Sequence, residues 1–208
     1  YPSRPITLLV PFAAGGASDV IARLADAQLA QALDGRIVNE NVAGAGGTIA
    51  LSRLARSTPD GYTLGIGNAG TNAASYTIYP DLKYTPDNFV AVGLVAKTSA
   101  VLAVRKDFPA QTLMEFVDHA RKNPGKVTLG HAGNGSSNFI VCKTFIQAAK
   151  VDVTLVAYRG AAPALQDLLG GNIDGVCDNA SSISPTIESG AVRGLAVAAP
   201  TRLPNLPN

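Results

Sequence analysis

Residues 4–19 read RPITLLVPFAAGGASD, a short apolar run followed by a loop of small residues and the start of a helical pattern. An apolar run of this length, ended by Pro11, is typical of a buried parallel strand. The helical pattern continues to Gly35, where glycine marks its end. The stretch therefore predicts one strand–loop–helix unit of an α/β protein.

The same order of strand, small-residue loop and helix recurs along the chain. Strands are predicted at residues 36–42 and 62–66, and again at 126–130, 154–157, 173–177 and 193–199. Between these two series lies the apolar stretch 89–104, which we interpret as two strands joined by the polar residues 97–99. Repeated units of this kind predict mostly parallel sheets flanked by helices.

Two of the predicted helices show further features, a buried face in one and an N-cap in the other. In the first, Ile21, Leu24, Ala25, Leu29 and Leu33 share one face, which indicates that this face is buried. In a later helix over 112–122, Thr112 is the predicted N-cap, because its hydroxyl can accept a hydrogen bond from a free backbone N–H.

The apolar stretch between the two series of strand–loop–helix units predicts a division into two lobes. The first covers residues 1–98, the second covers 99–196, and residues 197–208 form a segment returning toward the first lobe. No linker rich in Pro, Gly or Ser separates them, so we expect strands to join the lobes and a hinge to lie near 97–100 and 197–200.

Composition excludes several classes of protein. The 208 residues are 47% hydrophobic and 15% charged, which excludes a disordered chain. The net charge of +2 and the absence of a basic stripe argue against nucleic-acid binding. No apolar run approaches the length of a membrane span, so we expect no membrane insertion. We expect a soluble globular chain, either cytosolic or with its export signal removed.

The two cysteines, Cys142 and Cys177, lie 35 residues apart without a CxxC motif or a cluster of histidines. This spacing supports neither a zinc site nor a thioredoxin-like redox motif. Two alternatives stay open: a single disulfide if the protein is exported, or two buried free thiols.

Catalytic motifs are absent from the sequence. GxSxG, GxxxxGK[ST] and HExxH do not occur, and the GxGxxG match at 65–70 lacks the long helix that a dinucleotide site requires. His131 beside Ser136 or Ser137 is the one arrangement that suggests nucleophilic chemistry, although these serines fit better as a helix cap and ligand hydrogen-bond donors. We predict no catalytic residue, no metal site and no cofactor.

Four small-residue loops follow strands at Ala13–Ser18, Ala43–Gly47, Asn68–Thr71 and Ala132–Ser137. In open α/β sheets, ligands bind beyond the carboxyl ends of the strands, and helix N-termini there hold anions without basic side chains. The four loops together predict an anion-binding cleft. Asp19 in the first turn of its helix has two open interpretations, as a helix-capping group turned aside or as a partner for a ligand amine or a water.

Ordered short motifs run along the whole chain. They are PFAAGGASD at 11–19, NVAGAGG at 41–47, PDGYTL at 59–64, NPGK at 123–126, GNGSS at 133–137, YRGAAPA at 158–164, LLGG at 168–171, DN at 178–179 and RLP at 202–204. In these motifs the sequence resembles the Bug-type solute receptors of tripartite tricarboxylate transporters. The resemblance implies a two-lobed periplasmic binding protein of type II, the Venus-flytrap kind, that captures a small organic acid and delivers it to the membrane subunits of such a transporter.

The resemblance also implies a set of ligand contacts from both lobes. They are Phe12, Ala13, Gly16, Ala17, Gly46, Gly47, Asn68, Gly70, Thr71, Ala132, Ser136, Ser137, Tyr158, Ala161 and Asp178. Asp178 is open between capping the next helix and contacting the ligand. The sequence departs from the family at Asn138, where His is frequent, and family members continue beyond Asn208 to complete the first lobe.

Two other functions remain as alternatives. A two-lobed carboxylate sensor would bind the same acid but act on a signalling partner. An enzyme of the same fold would use His131 or Ser137 on a carboxylate substrate.

Overall fold

A three-stranded parallel sheet forms the first part of the structure, a computed structural model in which residues 1–206 are described. Its strands are β1 (Ile6–Val10), β2 (Ile37–Asn41) and β3 (Thr63–Gly65), in the order β2-β1-β3. Helix α1 (Ala17–Ala32) follows β1, helix α2 (Thr48–Ala55) follows β2, and the short helix α3 (Ser75–Ile78) follows β3. The apolar strand β1 takes the central position, where both of its edges are hydrogen-bonded and all of its side chains except that of Thr7 are buried.

A five-stranded sheet forms the second part. Its strands are β4 (Ala100–Arg105), β5 (Thr128–His131), β6 (Thr154–Ala157), β7 (Gly175–Asn179) and β8 (Val192–Val197), in the order β6-β5-β7-β4-β8. The strands β5, β6 and β7 run parallel, whereas β4 runs antiparallel to both of its neighbours. Four helices accompany this sheet: α4 (Leu113–Lys122), α5 (Ser137–Ala149), α6 (Ala161–Leu169) and α7 (Ala180–Glu188).

The second sheet has an apolar core on each face. One contains Phe116 and Leu129, which are fully buried, and the other contains Leu168 and Ile183. The predicted N-cap is confirmed, because the Thr112 hydroxyl accepts a hydrogen bond from the Glu115 N–H at 3.2 Å. Capping and two-sided burial together account for the regular helices of this part.

A disulfide joins Cys142 of α5 to Cys177 of β7, with their Cα atoms 5.8 Å apart. Of the two alternatives for the cysteines, the disulfide is therefore the one that the structure contains, and the pair of free thiols is wrong. The bridge lies inside one of the two apolar cores and ties a helix to the central strands of the sheet.

The interpretation of residues 89–104 as two strands is half wrong. Only β4 forms, and no strand is assigned between residues 89 and 99, where Val90 is 91% exposed and Val92 is 87% exposed. Phe89 packs against Tyr84, and the Ser99 carbonyl accepts a hydrogen bond from the Ala180 N–H. A strand needs a hydrogen-bonding neighbour and a covered face, and residues 90–98, all exposed, find neither among residues 1–206.

The predicted buried face of α1 is wrong at Leu24 and Leu29, whereas its other three residues, Ile21, Ala25 and Leu33, are half-buried. Leu24 is 67% exposed and Leu29 is 38% exposed, whereas the buried side chains of the helix are Ala17, Asp19 and Ala22. The helix approaches the sheet on its small residues because a short side chain permits close contact with β1.

The predicted segment 197–208 extends into Pro207 and Asn208, which lie outside the described residues. Among residues 1–206, no helix combines the length and the apolar character needed to cross a membrane. The residue boundaries of the predicted lobes stay a prediction, and below we call residues 1–98 the first unit and residues 99–206 the second unit.

Candidate functional site

The loops that follow the parallel strands of the two sheets meet each other. The Ala13 N–H of the first unit donates a hydrogen bond to the Arg159 carbonyl of the second, at 3.1 Å. Elsewhere Gly46 lies against Asn134, and Gly70 lies against Gly135 and Ser137. Helix α1 also packs against α7. The loops at the carboxyl ends of the parallel strands therefore face each other and form one candidate site between the units.

Close approach at this site requires glycine at two positions. A Cβ on Gly46, whose φ is +61°, would lie 2.1 Å from the Asn134 carbonyl oxygen. A Cβ on Gly70 would lie 2.6 Å from the Gly135 carbonyl oxygen and 2.7 Å from the Ser137 nitrogen. Both distances are shorter than van der Waals contact, so any larger residue would push the units apart.

Asp19 organises the first loop. Its carboxylate is buried and accepts hydrogen bonds from the Gly15 N–H at 2.9 Å, Arg23 Nε at 3.0 Å and Asn41 Nδ2 at 3.0 Å. Burial by itself raises the pKa of Asp19, but these hydrogen bonds, with Arg23 the strongest, hold it below its usual value. Asn41 also donates to the Phe12 carbonyl at 3.0 Å. The carboxylate is therefore turned into its own loop.

Several backbone N–H groups at the site have no hydrogen-bond partner among residues 1–206. They belong to the first residues of three helices, Ala17 of α1, Ser137 of α5 and Ala161 of α6, and to Gly46. Ala17, Ala161 and Gly46 are buried residues. A buried N–H without a partner costs free energy, and three helix N-termini add positive potential, so the arrangement suits a bound anion.

The polar side chains of the second unit are mostly engaged within that unit. Ser136 caps α5, its hydroxyl accepting a hydrogen bond from the Phe139 N–H at 3.2 Å. The Tyr158 hydroxyl donates to Asp167 at 2.6 Å, and burial together with this carboxylate raises the pKa of Tyr158 to about 12. Both groups shape the loops rather than leaving a free polar group beside the helix N-termini.

His131 is buried and stacks on Phe139, with ring centroids 5.0 Å apart. Its Nδ1 accepts a hydrogen bond from the Gly133 N–H at 3.2 Å, and burial lowers the pKa of His131. The imidazole therefore stays neutral near pH 7 and holds the glycine loop. Within residues 1–206 it makes no hydrogen bond to Ser136 or Ser137, so the pair needed for nucleophilic chemistry is not formed.

Asp178 lies at the end of β7 and is 2% exposed. Its Oδ1 accepts hydrogen bonds from the Asn179 N–H at 2.7 Å and Asn138 Nδ2 at 3.3 Å. Its Oδ2 is buried and has no partner at hydrogen-bonding distance in the described part of the chain. Burial raises the pKa of Asp178 to about 6, although the nearby Ser182 hydroxyl, the Asn179 N–H and the Asn138 amide oppose the shift. The Ser182 hydroxyl itself donates a hydrogen bond to the Asn179 carbonyl at 3.0 Å.

The structure brings every predicted contact residue to the facing loops or to the strand ends and helix starts beside them. The first unit supplies Phe12, Ala13, Gly16, Ala17, Gly46, Gly47, Asn68, Gly70 and Thr71. The second unit supplies Ala132, Ser136, Ser137, Tyr158, Ala161 and Asp178. The Asn68 side chain is engaged within its own loop, where its oxygen accepts hydrogen bonds from the N–H groups of Gly70 and Thr71.

Sequence reasoning missed three residues of the site. Asn41 ties β2 to the first loop, Asn134 contacts Gly46, and Tyr79 donates a hydrogen bond across the units to the Asn134 carbonyl. Asn41 and Asn134 stand inside the quoted motifs, which is the signal that could have found them. Among residues 1–206 no group of three or more His, Cys, Asp or Glu is placed to hold a metal ion.

Comparison with known proteins gives consistent matches. The family model described as the tripartite tricarboxylate transporter family receptor matches residues 21–208. A protein of Agrobacterium vitis described as a UPF0065 protein is 36% identical over 209 residues, covering all of this chain. That alignment covers 60% of the Agrobacterium protein, so the chain spans about three fifths of the length of this curated relative.

Solved structures match over nearly the same range. The periplasmic binding protein BugD has a TM-score of 0.96 at 36% identity, covering 100% of this chain and 70% of BugD. MatC from Rhodopseudomonas palustris with bound malate has a TM-score of 0.94 at 39% identity, covering 100% of this chain and 71% of MatC. Rpa4515 from R. palustris with adipate has a TM-score of 0.93 at 34% identity, covering 97% of this chain and 68% of Rpa4515. The predicted fold class, a two-lobed α/β periplasmic binding protein, is confirmed.

Proposed function

The chain belongs to the tripartite tricarboxylate transporter receptor family, and we propose that it captures a small organic acid between its two units. The family is one of solute-binding receptors, and BugD is a periplasmic binding protein. The full proposal is a periplasmic, non-enzymatic receptor that passes its acid to the membrane subunits of a tripartite tricarboxylate transporter. Malate in MatC and adipate in Rpa4515 support a carboxylate as the ligand.

The observation that carries this proposal is that unpaired N–H groups from both units lie in the loops that face each other. Ala17 and Gly46 belong to the first unit, and Ser137 and Ala161 belong to the second. A carboxylate placed among them accepts hydrogen bonds from both sides and holds the units together. Charge-assisted hydrogen bonds in a site shielded from water are stronger than those at an open surface, which favours binding by closure.

Asp178 supports a more specific ligand class. Its buried Oδ2 is an acceptor without a partner, so a ligand that places a hydroxyl or ammonium donor there satisfies it, whereas a second carboxylate does not. Malate carries such a hydroxyl and succinate is the same acid without it. We propose that the protein prefers the acid with the donor.

Native mass spectrometry of the protein as purified, followed by calorimetry with malate, succinate and adipate, tests the proposal. A retained acid or a dissociation constant in the micromolar range or below supports it. If neither a retained carboxylate nor binding of any acid in an extended panel is found, the proposed function is wrong. Equal affinity for malate and succinate removes only the role of Asp178.

A backbone substitution tests the N–H cradle directly. Ala17→Pro deletes one N–H at the first position of α1, where proline is well tolerated, and the preceding Gly16 already has the extended conformation that proline requires. Losing one hydrogen bond to a charged ligand weakens binding by roughly 10- to 100-fold. Ala17→Ser keeps the N–H and is the matched control. Wild-type affinity in Ala17→Pro would show that α1 does not hold the ligand.

The receptor and sensor alternatives differ in their partner. We propose the transporter as partner, because the family name describes a transporter receptor. Capture of the ligand-loaded protein by transporter membrane subunits supports this proposal, whereas capture by a sensor kinase alone supports the sensor.

A further inference from the structure

Tyr79, which follows α3 in the first unit, reaches across to the second. Its hydroxyl donates a hydrogen bond to the Asn134 carbonyl at 2.5 Å. Its ring lies beside Gly135, where a Cβ would come within 2.9 Å of the ring carbon Cε2. Its hydroxyl oxygen would lie 3.0 Å from a Cβ on Gly46. One side chain thus contacts a glycine loop from each unit.

This contact differs from the other hydrogen bond described between the units. The bond from Ala13 to Arg159 joins two backbones, so no side-chain substitution removes it. The bond from Tyr79 depends on one phenolic oxygen. Burial raises the pKa of Tyr79, which keeps the phenol protonated and able to donate throughout the neutral pH range.

The loop that Tyr79 contacts is also the loop that positions part of the site. Gly133 and Gly135 have φ values of +109° and +79°, and the next residues, Ser136 and Ser137, begin α5. Holding the Asn134 carbonyl therefore restrains the start of α5 and its unpaired N–H. The side chain itself has room to leave, because Tyr79 also lines an open surface pocket of about 350 Å³ beside α2.

We propose that Tyr79 is a latch of the closed state that controls how slowly the ligand leaves, without touching the ligand. This inference rests on the proposed function of the site between the units. The latch forms when the loops meet and breaks when the units separate, so it slows opening more than it speeds encounter. Tyr79 is a positioning residue in this scheme, acting through the loop 132–137.

The variant Tyr79→Phe removes the hydroxyl and keeps the ring. With malate or adipate as the probe, whichever the wild type binds, stopped-flow kinetics are expected to show dissociation about tenfold faster and association changed by less than twofold. Tyr62→Phe is the matched control, because Tyr62 precedes β3 at the edge of the sheet opposite the site. Among residues 1–206 its hydroxyl bonds to Ser3 of the same unit and to no residue of the second unit. If the role of the Tyr79 hydroxyl is purely structural, Tyr79→Phe lowers the melting temperature without the selective increase in the dissociation rate.

Hydrogen exchange of the ligand-free protein tests the latch independently of the ligand. Amides of residues 133–137 are expected to exchange several-fold faster in Tyr79→Phe than in the wild type, and no faster in Tyr62→Phe. Unchanged exchange there overturns the latch whether or not an acid binds. If exchange increases while no acid is retained and none of the extended panel binds, the proposed function fails and the contact between the units stands. Unchanged dissociation with a bound probe overturns the latch.

Discussion

The two units bury their apolar residues very differently. The second unit has an extensive core on each face of a five-stranded sheet and a disulfide inside one of them. The first has two small clusters around a three-stranded sheet. All the strongly exposed large apolar side chains except Met114 and Leu169 lie between residues 1 and 95. Within the described chain, only the second unit supplies enough partners for its own apolar faces.

This difference predicts unequal local stability. A unit with few buried apolar contacts opens at a lower free energy than one with a dense core, even when both have regular strands. The candidate site lies between the two, so the first unit is expected to be the more mobile wall of the cleft. Substitutions in each unit test this asymmetry.

Phe116→Ala is expected to lower the free energy of unfolding the most. The side chain is fully buried in the second unit, and removing it leaves a cavity that costs about 3–5 kcal/mol of unfolding free energy. Leu24→Ala in α1 of the first unit is the control, since its side chain is 67% exposed and its loss costs no more than about 0.5 kcal/mol. Urea unfolding measures both. Equal costs would contradict the asymmetry.

Replacing both Cys142 and Cys177 by serine is the next largest change. Opening a bridge that closes a loop of 35 residues lowers the unfolding free energy by roughly 3–4 kcal/mol through the entropy of the unfolded chain. The loss is expected only in the amides of the second unit, as seen by hydrogen exchange under native conditions. Faster exchange spread equally into β1 would mean that the two units unfold together.

Asp178→Asn is expected to change the pH dependence of stability. The pKa of Asp178 is about 6 in the folded chain and 3.8 unfolded, so the unfolded state loses its proton first as pH rises. Stability of the wild type therefore falls between about pH 4 and pH 6, by up to roughly 3 kcal/mol. The variant lacks this fall, and its stability relative to wild type rises across the same window.

Thermal or urea unfolding of the ligand-free proteins at pH 4 and pH 7.5 measures this change. A stability difference between Asp178→Asn and wild type that is constant with pH would show that the carboxyl does not titrate in this window.

Val92→Ser is expected to have the smallest effect. The side chain is 87% exposed, so the change in unfolding free energy stays within about 0.5 kcal/mol, while binding of a hydrophobic dye decreases. Val176→Ser is the contrasting variant in the second core, where the side chain is 1% exposed. A loss above 1 kcal/mol in Val92→Ser would show that residues 89–99 are packed and that the first unit is not the less covered one.

Much of the architecture could be read from local patterns. The order of strands and helices followed from apolar runs and glycine loops, with β6 placed at residues 154–157 and the cap at Thr112. The site loops followed from the rule that ligands bind beyond strand ends. Residues 89–96 and the outer face of α1 were misjudged, because an apolar pattern indicates a preference for burial and does not supply the surface that covers it.

Contacts between near neighbours along the chain account for the two α/β units, the positions of the loops and the small residues that let them approach, so these features are predictable from the sequence. Long-range packing is what brings Cys142 to Cys177, turns the Asp19 carboxylate into its own loop and carries Tyr79 to Asn134. The cysteines, and likewise Tyr79 and Asn134, are so far apart along the chain that no local pattern links them. Asp19 has local partners, but the orientation of its carboxylate also depends on Asn41 of β2. Their physical cause is the way two sheets pack end to end, which brings distant loops within hydrogen-bonding distance.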